Sequence, residues 1–328
     1  MSIDEKLASA KADLAEREAA LVAFSGGVDS AVVAAIAHDA LGEDAVACTA
    51  KSETLPAAEL DDAREVADAI GIRHDVVEFS ELDSPQFVAN GEDRCYHCRT
   101  MRLGRMYEHA TELGVETVCD GTNASDPGEG HRPGLQAVEE LDAHSPLLEH
   151  DIGKEEVREI AERYDLPVAD KPSMACLSSR IPTGLEVTEQ RLTRIEKAEQ
   201  LLRTWGFDQF RVRDHDGLAR IEVGADELSV ALDAGFADAA REHMLDLGFD
   251  HVTLDLQGYE TGSVSPGDDA AEATESGDET GEANGTTGAD GSAGANQAET
   301  SADPAESGSG TDEPVVEDVF DVDYPTSD

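Results

Sequence analysis

A short glycine-rich segment between a predicted strand and a predicted helix constrains the fold of this chain most strongly. Residues 21–25 are predicted to form a buried strand and residues 28–41 a helix, and the loop Ser25–Ser30 (Ser-Gly-Gly-Val-Asp-Ser) joins them. The backbone N–H groups of such a loop and the N-terminus of the helix converge on one point, where they favour an anion. The sequence therefore predicts a phosphate-binding strand–loop–helix unit.

The residue types of the loop fit this interpretation. Gly26 and Gly27 allow a tight turn and a close backbone approach, while Ser25 and Ser30 add hydroxyl donors. The segment has neither the lysine of the P-loop nor the G-x-G-x-x-G pattern of dinucleotide-binding folds. A turn without a phosphate role is the alternative, and the position between a strand and a helix argues against it.

Strands and helices alternate over the first half of the chain. Predicted helices cover residues 2–20, 28–41, 57–70, 96–113 and 153–164, and predicted strands cover 21–25, 45–50, 73–79 and 116–119. Repeated strand–helix units are typical of an α/β fold with a doubly wound parallel sheet, whose ligands bind at the C-terminal ends of the strands. We assign residues 1–170 to this domain.

The order of elements changes after a loop rich in serine and proline at residues 171–186. A helix at 188–205, strands at 210–214 and 219–223, a helix at 226–247 and a strand at 251–256 predict a smaller α+β domain over residues 187–261. Because ligands are often bound where domains meet, the loop at 171–186 is a candidate ligand site.

The composition changes again at residue 262. From there to residue 328 the chain has no Lys, Arg or His and is dominated by small and acidic residues. Such a segment buries too little apolar surface to offset its conformational entropy. We predict a disordered acidic tail.

The charge of the chain excludes some functions. There are 24 Lys and Arg against 73 Asp and Glu, a formal net charge of −49, which argues against sequence-independent nucleic-acid binding and against anionic membranes. Adaptation to very high salt is the simplest explanation for a charge spread along the whole chain. Without a long apolar run or an apolar secretory start, a cytoplasmic location is expected, and the five cysteines are expected to be thiols or metal ligands.

Polar residues follow the predicted strand at 116–119. Asp120 begins the sequence Asp-Gly-Thr-Asn, which includes Thr122 and is followed by Asp126, Glu129 and Arg132. Carboxylates at the end of a strand can hold Mg²⁺ beside phosphates, and an arginine there can neutralise charge. An ordinary polar loop is the alternative.

The loop Lys171–Pro182 (Lys-Pro-Ser-Met-Ala-Cys-Leu-Ser-Ser-Arg-Ile-Pro) contains Cys176. Its basic neighbours in sequence, Lys171 and Arg180, favour the thiolate, which is the reactive form of a cysteine. Taken alone, a cysteine of this kind is more often inert.

The glycine-rich loop resembles the Ser-Gly-Gly-x-Asp-Ser signature of the PP-loop ATP pyrophosphatases. In that superfamily the loop holds the β,γ-pyrophosphate of ATP while a substrate oxygen attacks the α-phosphate. The resemblance implies that ATP is bound by Ser25, Gly26, Gly27, Asp29 and Ser30, together with Asp120 and Thr122.

Several motifs together resemble one branch of this superfamily, the LarE-type sulfur transferases. They are the PP-loop, Asp-Gly-Thr-Asn, Arg-Pro-Gly at 132–134, the Cys176 loop and Leu-Asp-Leu-x-Gly-Tyr at 254–259. The resemblance extends from about residue 21 to residue 263 and implies use of ATP and Mg²⁺. It implies adenylylation of a carboxylate of pyridinium-3,5-biscarboxylic acid mononucleotide, followed by displacement of AMP by sulfur. Cys176 matches the sulfur-bearing cysteine of the family.

Two further cysteines, Cys95 and Cys98, form a C-x-x-C pair. With Cys176 they make three, which suits a [4Fe–4S] cluster with one open iron, and one branch of the resembled family has this arrangement. In another branch a lone cysteine gives up its own sulfur. Both routes need Cys176 and remain open here, with the cluster favoured. Cys48 and Cys119 lie in predicted buried strands and are expected to be core residues.

Arginines of the second domain are candidate ligands for the nucleotide substrate. Arg211 and Arg213 alternate along one predicted strand and therefore share a face, where they can bind the phosphate, and we group Arg180 with them. Glu222 on the next strand is expected to orient an arginine or to hold Mg²⁺. A surface cluster of ion pairs is the alternative.

Other functions are compatible with parts of the sequence. A tRNA thiolase would share the loop and the cysteine chemistry, although no basic RNA-binding face is visible. An amide-forming ligase such as NAD synthetase has no use for Cys176, and a non-catalytic nucleotide-binding protein would depend on the tail. The resemblance also implies a homo-oligomer that acts on a small molecule.

Overall fold

The computed structural model describes residues 1–128, 133–169, 171 and 175–259, so that the predicted tail at 262–328 lies outside the described residues. The helices are α1 (Ile3–Ala15), α2 (Val28–Leu41), α3 (Ala57–Ile70), α4 (Pro85–Val88), α5 (Arg94–Leu113), α6 (Pro133–Glu140), α7 (Pro146–Glu149), α8 (Lys154–Arg163), α9 (Glu189–Thr204), α10 (Leu228–Ala231) and α11 (Ala234–Asp246). The strands are β1 (Ala20–Ala23), β2 (Ala45–Lys51), β3 (Arg73–Glu78), β4 (Thr117–Cys119), β5 (Phe210–His215), β6 (Leu218–Val223) and β7 (His251–Leu254).

The first sheet has the strand order β3-β2-β1-β4, and all its neighbours are parallel. The order reverses between β1 and β4, because the chain runs outward from β1 to β3 and then returns to the opposite side of β1. Ligands of open α/β sheets bind at such a switch point, beyond the C-terminal ends of the strands. The predicted α/β class with a parallel sheet is confirmed.

Helix α2 lies in the centre of the first core. Residues 31–37 of this helix are buried with side chains that are alanine, valine or isoleucine. A helix that is apolar on all sides must be covered on all sides, and α1, α3 and α8 pack around it. The N-terminus of α2 is thereby fixed beside the end of β1.

The second sheet has the order β5-β6-β7, with an antiparallel and a parallel pair. Its core contains the aromatic residues Phe207, Phe210, Phe236 and Phe249. The single helix predicted for residues 226–247 is wrong, because α10 and α11 are separate helices. The helix is interrupted before Asp233, which is the N-cap of α11. Its side chain accepts a hydrogen bond from the backbone N–H of Gly235.

In the part of the chain that the structure describes, none of the helices is both long and apolar enough to cross a membrane.

Candidate active site

The loop Ser25–Ser30 turns sharply between β1 and α2. The Ser30 hydroxyl accepts a hydrogen bond from the Ser25 backbone N–H at 3.2 Å and donates one to the Gly27 carbonyl at 3.0 Å. Gly26 has φ +74°, and a Cβ atom there would lie 2.7 Å from the Cα atom of Ala63 on α3. Only glycine fits this position, since the conformation and the neighbouring helix both exclude a side chain.

The loop after β4 lies directly beside this turn. A Cβ atom on Gly121 would lie 3.1 Å from the backbone nitrogen of Ser30. Asp120 is fully buried and accepts hydrogen bonds from the hydroxyls of Ser145 and Thr122, each at 2.6 Å, and it also pairs with Arg99. These bonds fix the conformation of the second loop, and the close approach at Gly121 places it beside the first.

Asp29 carries a charge partner that sequence reasoning missed. Its carboxylate accepts from the Asn123 amide at 3.1 Å and from the Lys154 ammonium group at 2.5 Å. Lys154 is the first residue of α8 and is distant in sequence from every motif discussed above. Only the tertiary structure brings this lysine to the glycine-rich loop.

A cavity of about 530 Å³ opens beside the two loops. Its lining includes Ser25, Gly27, Asp29 and Ser30 from the first loop, Asp120, Thr122 and Asp126 from the second, Arg94, Arg99 and Arg102 from α5, and Cys95, Cys98, Cys176 and Ser178. Three arginines in one cavity are notable in a chain with 24 Lys and Arg and a net charge of −49. The cavity therefore combines a phosphate-type loop, positive charge and three thiols.

Cys95 and Cys98 lie in the first two turns of α5. Cys95 is exposed, and Cys98 is half-buried with its thiol donating to the Glu81 carboxylate at 2.9 Å. Desolvation of the sulfur raises the pKa of the Cys98 thiol, and the charge of Arg102 only partly opposes this. The Cys98 thiol is thus held in its protonated form.

Glu81 is the second residue that no sequence motif indicated. It is fully buried, pairs with the Arg102 guanidinium at 3.0 Å and accepts from the hydroxyls of Ser52 and Thr54. Burial alone would raise the pKa of this carboxyl, but the Arg102 charge and the hydrogen bonds outweigh it and hold the pKa below its ordinary value. Glu81 is therefore a charged acceptor against one wall of the cysteine-lined cavity.

Cys176 begins a short 3-10 turn at Leu177–Arg180. The turn is held against the first domain, since the Leu177 backbone donates to the Thr54 carbonyl at 2.9 Å and Arg94 donates to the Ser178 carbonyl at 2.9 Å. The sulfur of Cys176 lies 3.1 Å from the Ser178 hydroxyl. The predicted loop thus places its cysteine in the same cavity as the glycine-rich loop.

The two basic neighbours of Cys176 in sequence are engaged elsewhere. Lys171 pairs with Glu59 at 2.9 Å and with Asp62 at 2.7 Å. Arg180 is fully buried and makes a two-bond ion pair with Glu199, at 2.9 and 3.0 Å, while its remaining nitrogen donates to the carbonyls of Ala175 and Cys176. Arg180 fixes the backbone of the cysteine loop and is absent from the described lining of the cavity.

Arg211 and Arg213 share a face of β5, as their spacing predicts, and both are almost fully buried. Arg213 pairs with Glu222 at 2.7 Å and donates to the Ser179 carbonyl at 3.1 Å. Arg211 lies over the ring of Tyr259, with 5.1 Å between its guanidinium carbon and the ring centroid. Their substrate role stays a prediction, since the 530 Å³ cavity is lined by other described arginines.

The two predicted Mg²⁺ ligands, Asp126 and Glu222, belong to different elements of the structure. Asp126 lines the large cavity, where one of its oxygens accepts from the Asn123 backbone at 2.9 Å. Glu222 belongs to the second sheet and binds the side chains of Arg213 and Arg220, which favours the orienting role over the metal role. Glu129 and Arg132 lie outside the described residues.

A smaller pocket of about 180 Å³ adjoins the glycine-rich loop on its other side. Lys154, Arg158, Lys171 and Arg102 contribute positive charge to its lining. Ser25, Gly27, Asp29, Arg102 and Cys176 line both this pocket and the large cavity. Cys176 therefore lies where the two spaces meet.

Comparison with known proteins decides the family. A family model described as asparagine synthase matches residues 3–102. An uncharacterized protein of Synechocystis sp. is 41% identical over 80% of this chain and 98% of its own length. The pyridinium-3,5-bisthiocarboxylic acid mononucleotide synthase of Lactiplantibacillus plantarum is 34% identical over 79% of this chain and 94% of its own length. The chain belongs to the LarE-type sulfur transferases.

More distant matches are consistent with this LarE-type assignment. The tRNA-specific 2-thiouridylase MnmA of Leptospira biflexa is 31% identical, but over 48% of this chain and 51% of its own length. The match with the LarE-type relative covers a larger share of both chains. As a LarE-type protein with a PP-loop, the chain is an ATP-dependent sulfur transferase.

Proposed function

We propose that this sulfur transferase adenylylates a carboxylate of pyridinium-3,5-biscarboxylic acid mononucleotide and replaces AMP with sulfur to give a thiocarboxylate. The observation that carries the proposal is that the glycine-rich loop and Cys176 line the same cavity. An acyl adenylate formed at the loop is then within the same enclosed space as the sulfur that captures it.

In the first step, ATP binds with its pyrophosphate at the loop Ser25–Ser30. A substrate carboxylate oxygen attacks the α-phosphorus, the bond from phosphorus to the pyrophosphate oxygen breaks, and pyrophosphate leaves. Backbone N–H groups, the N-terminus of α2 and the cations of the smaller pocket stabilise the negative charge that develops on the leaving group. Asp126 is the described carboxylate that fits Mg²⁺ there, and the metal would add to this stabilisation.

In the second step, sulfur attacks the acyl carbon and the bond to the AMP oxygen breaks. If Cys176 supplies its own sulfur, attack gives a thioester, and cleavage of its Cβ–S bond with loss of the Cα proton leaves dehydroalanine and the thiocarboxylate. Cys176 lies at the meeting point of the two spaces, which supports its placement beside the α-phosphate.

For the sulfur source, we propose the [4Fe–4S] cluster held by Cys95, Cys98 and Cys176. The three thiols line one cavity, and soft thiolate ligands are the ones that iron–sulfur clusters select. Arg94 and Arg102 line the same cavity as these thiols, and a bound cluster would replace the proton that the Cys98 thiol carries without a metal. A cluster bound there would supply a sulfide that can be replaced after each turnover.

The proposed reaction is tested with the purified chain, ATP, Mg²⁺ and the pyridinium dicarboxylate nucleotide under anaerobic conditions. We expect pyrophosphate and AMP to be released and the mass spectrum of the substrate to show one oxygen replaced by sulfur. Release of pyrophosphate without any change in substrate mass, in the presence of a sulfide source, would contradict the acceptor. Thiolation of tRNA in a parallel reaction would favour the thiouridylase alternative.

The cluster is tested by iron and labile-sulfide analysis of protein purified without oxygen. We expect brown protein with about four irons per chain, and we expect Cys98→Ser to lose the iron. Cys48→Ala is the matched control, because Cys48 is buried in β2 and is not part of the cavity lining. Colourless, iron-free protein that still thiolates its substrate once would instead support donation by Cys176.

Lys154 is expected to bind the pyrophosphate portion of ATP. Because a contact to a charged group contributes about 1.5–3 kcal/mol, Lys154→Ala should raise the KM for ATP by roughly 10- to 100-fold. Binding of AMP, which lacks the pyrophosphate, should change little, and Lys154→Arg should keep most of the affinity.

Lys11→Ala is the control for this prediction, since Lys11 makes an equally short ion pair with Asp39 on another surface of the chain, at 2.5 Å. Equal loss of ATP and AMP binding in Lys154→Ala would argue against a pyrophosphate contact and for a general effect on the loop.

A further inference from the structure

A cluster of two histidines and two carboxylates lies outside the catalytic cavity. Asp13 belongs to the last turn of α1, while His144, Glu149 and His150 flank or end the short helix α7. None of the four lines either space described above. The proposed sulfur transfer makes no use of them.

One carboxylate oxygen of Asp13 faces both histidines. The Oδ2 atom lies 2.8 Å from Nε2 of His144 and 3.6 Å from Nε2 of His150. On the other side of its ring, Nδ1 of His144 lies 2.9 Å from a carboxylate oxygen of Glu149. Asp13, His144 and Glu149 each offer a ligand atom within 4.8 Å of the others.

The facing atoms are buried without hydrogen bonds. Asp13 Oδ2, His144 Nε2 and His150 Nε2 are inaccessible to solvent, and none makes a hydrogen bond of acceptable geometry within the described part of the chain. His144 as a residue is only 8% exposed. Three unsatisfied polar atoms at one point are costly, and a bound ion or water is the usual explanation.

The local charge favours an additional cation. Asp13 lies at the C-terminal end of α1, where the helix dipole disfavours a carboxylate. Arg17 is the cation at the cluster, 3.4 Å from the Oδ1 atom of Asp13 and 3.2 Å from Nδ1 of His144. The carboxylates of Asp13 and Glu149 and the guanidinium of Arg17 together carry a charge of −1 at the cluster.

We propose that Asp13, His144 and His150 hold a divalent transition-metal ion of the zinc class at a structural site, with Glu149 orienting the His144 ring through its Nδ1 atom. Imidazole and carboxylate groups are ordinary ligands of Zn²⁺. Two ligands that each lie about 2.0–2.1 Å from a tetrahedral zinc are roughly 3.3 Å apart. The separations of Asp13 from the two histidines, 2.8 and 3.6 Å, lie on either side of this value.

Binding of a metal here would stabilise the loop that carries Asp120. The His144 backbone extends β4, since it donates to the Val118 carbonyl and accepts from the Asp120 N–H, each at 2.9 Å. The neighbouring Ser145 hydroxyl bonds the Asp120 carboxylate. A metal ion would therefore tie the end of α1 to the segment that holds Asp120 in place.

Zinc binding is measured by equilibrium dialysis and calorimetry with Zn²⁺ alone, on the full chain with Cys95, Cys98 and Cys176 changed to serine. Excess Mg²⁺ and molar KCl are added so that Zn²⁺ does not bind to the many surface carboxylates. We expect one Zn²⁺ per chain and a higher Tm with Zn²⁺ than with a chelator. Asp13→Asn and His150→Gln should each weaken binding at least tenfold and remove the rise in Tm.

His251→Gln is the matched control, because His251 is exposed on β7 and distant from the cluster in sequence. Two results would overturn the site. The first is that the serine-substituted chain binds no Zn²⁺, in which case His144 and Asp13 share a proton instead of a metal ion. The second is that the control and both cluster variants bind Zn²⁺ equally well. Far-ultraviolet circular dichroism, and pyrophosphate release measured in the cysteine-containing chain, show whether each variant folds. If Asp13→Asn does not fold, the zinc affinity of His150→Gln alone tests the site.

Discussion

Cys176→Ala is expected to abolish sulfur transfer while pyrophosphate release from ATP continues. Cys176 is shared by both sulfur routes, whereas the loop Ser25–Ser30 that is proposed to hold the pyrophosphate does not depend on its side chain. Loss of a group that acts directly on the reacting carbon should lower the thiolation rate at least about a thousandfold. The assay is mass spectrometry of the substrate, with pyrophosphate measured in the same reaction.

The same variant separates the two sulfur routes. If the cluster is the donor, Cys176→Ala should also lose or weaken its iron, and the wild-type chain should turn over repeatedly with added sulfide. If the cysteine is the donor, the wild-type chain should stop after one turnover and lose the mass of hydrogen sulfide. Cys48→Ala serves as the control for removal of a thiol. Thiolation at the normal rate by Cys176→Ala would disprove the proposed chemistry.

Arg180→Met is expected to be the most destabilising single change near the site. Arg180 and Glu199 form a buried ion pair, with exposed side-chain fractions of 0% and 7%. Removal of the arginine leaves the Glu199 charge buried without its partner, which costs about 3–5 kcal/mol. The Cys176 loop also loses the donor that binds the carbonyls of Ala175 and Cys176. Denaturant unfolding at fixed high salt measures the first effect.

A double variant tests the physical reason. Arg180→Met with Glu199→Leu removes both charges and should recover much of the lost stability, because the uncompensated buried charge is then gone. Thiolation should not recover, because the cysteine loop still lacks its donor. Arg203→Met on the exposed surface of α9 is the control and should change the free energy of unfolding by less than about 0.5 kcal/mol. A single variant as stable as this control would contradict the account.

The sequence was most informative where chemistry depends on contiguous residues. The turn at Ser25–Ser30 needs glycine at a fixed position and hydroxyls at its ends, so that a short motif specifies both its conformation and its anion preference. The elements β1 and α2 were also predictable from contiguous residues, because their apolar runs predict buried segments directly. The predicted bounds of α2 agree with the structure for this reason.

Prediction failed where a short polar interaction decided the local structure. Residues 226–247 contain enough helix-forming residues to predict one helix, yet the Asp233 cap begins a new helix there. The role of Arg180 as a substrate ligand stays a prediction, while its ion pair with Glu199 was not predicted. Its complete burial against Glu199 depends on α9, which lies far enough away in sequence that spacing gives no indication of the contact.

The amino-acid sequence by itself determined the parallel α/β fold, the phosphate-type loop and the identity of the cysteine at the centre of the proposed chemistry, because each depends on residues that are neighbours in the chain. Only the tertiary structure decided that Lys154 pairs with Asp29 and that Glu81 accepts a hydrogen bond from Cys98. The same is true of the contacts of Asp13 with His144 and His150. These contacts join residues that are from 17 positions apart in the chain, for Glu81 and Cys98, to 137 positions apart, for Asp13 and His150. Such pairs are fixed by how helices pack on the sheet, which no local pattern of residues encodes.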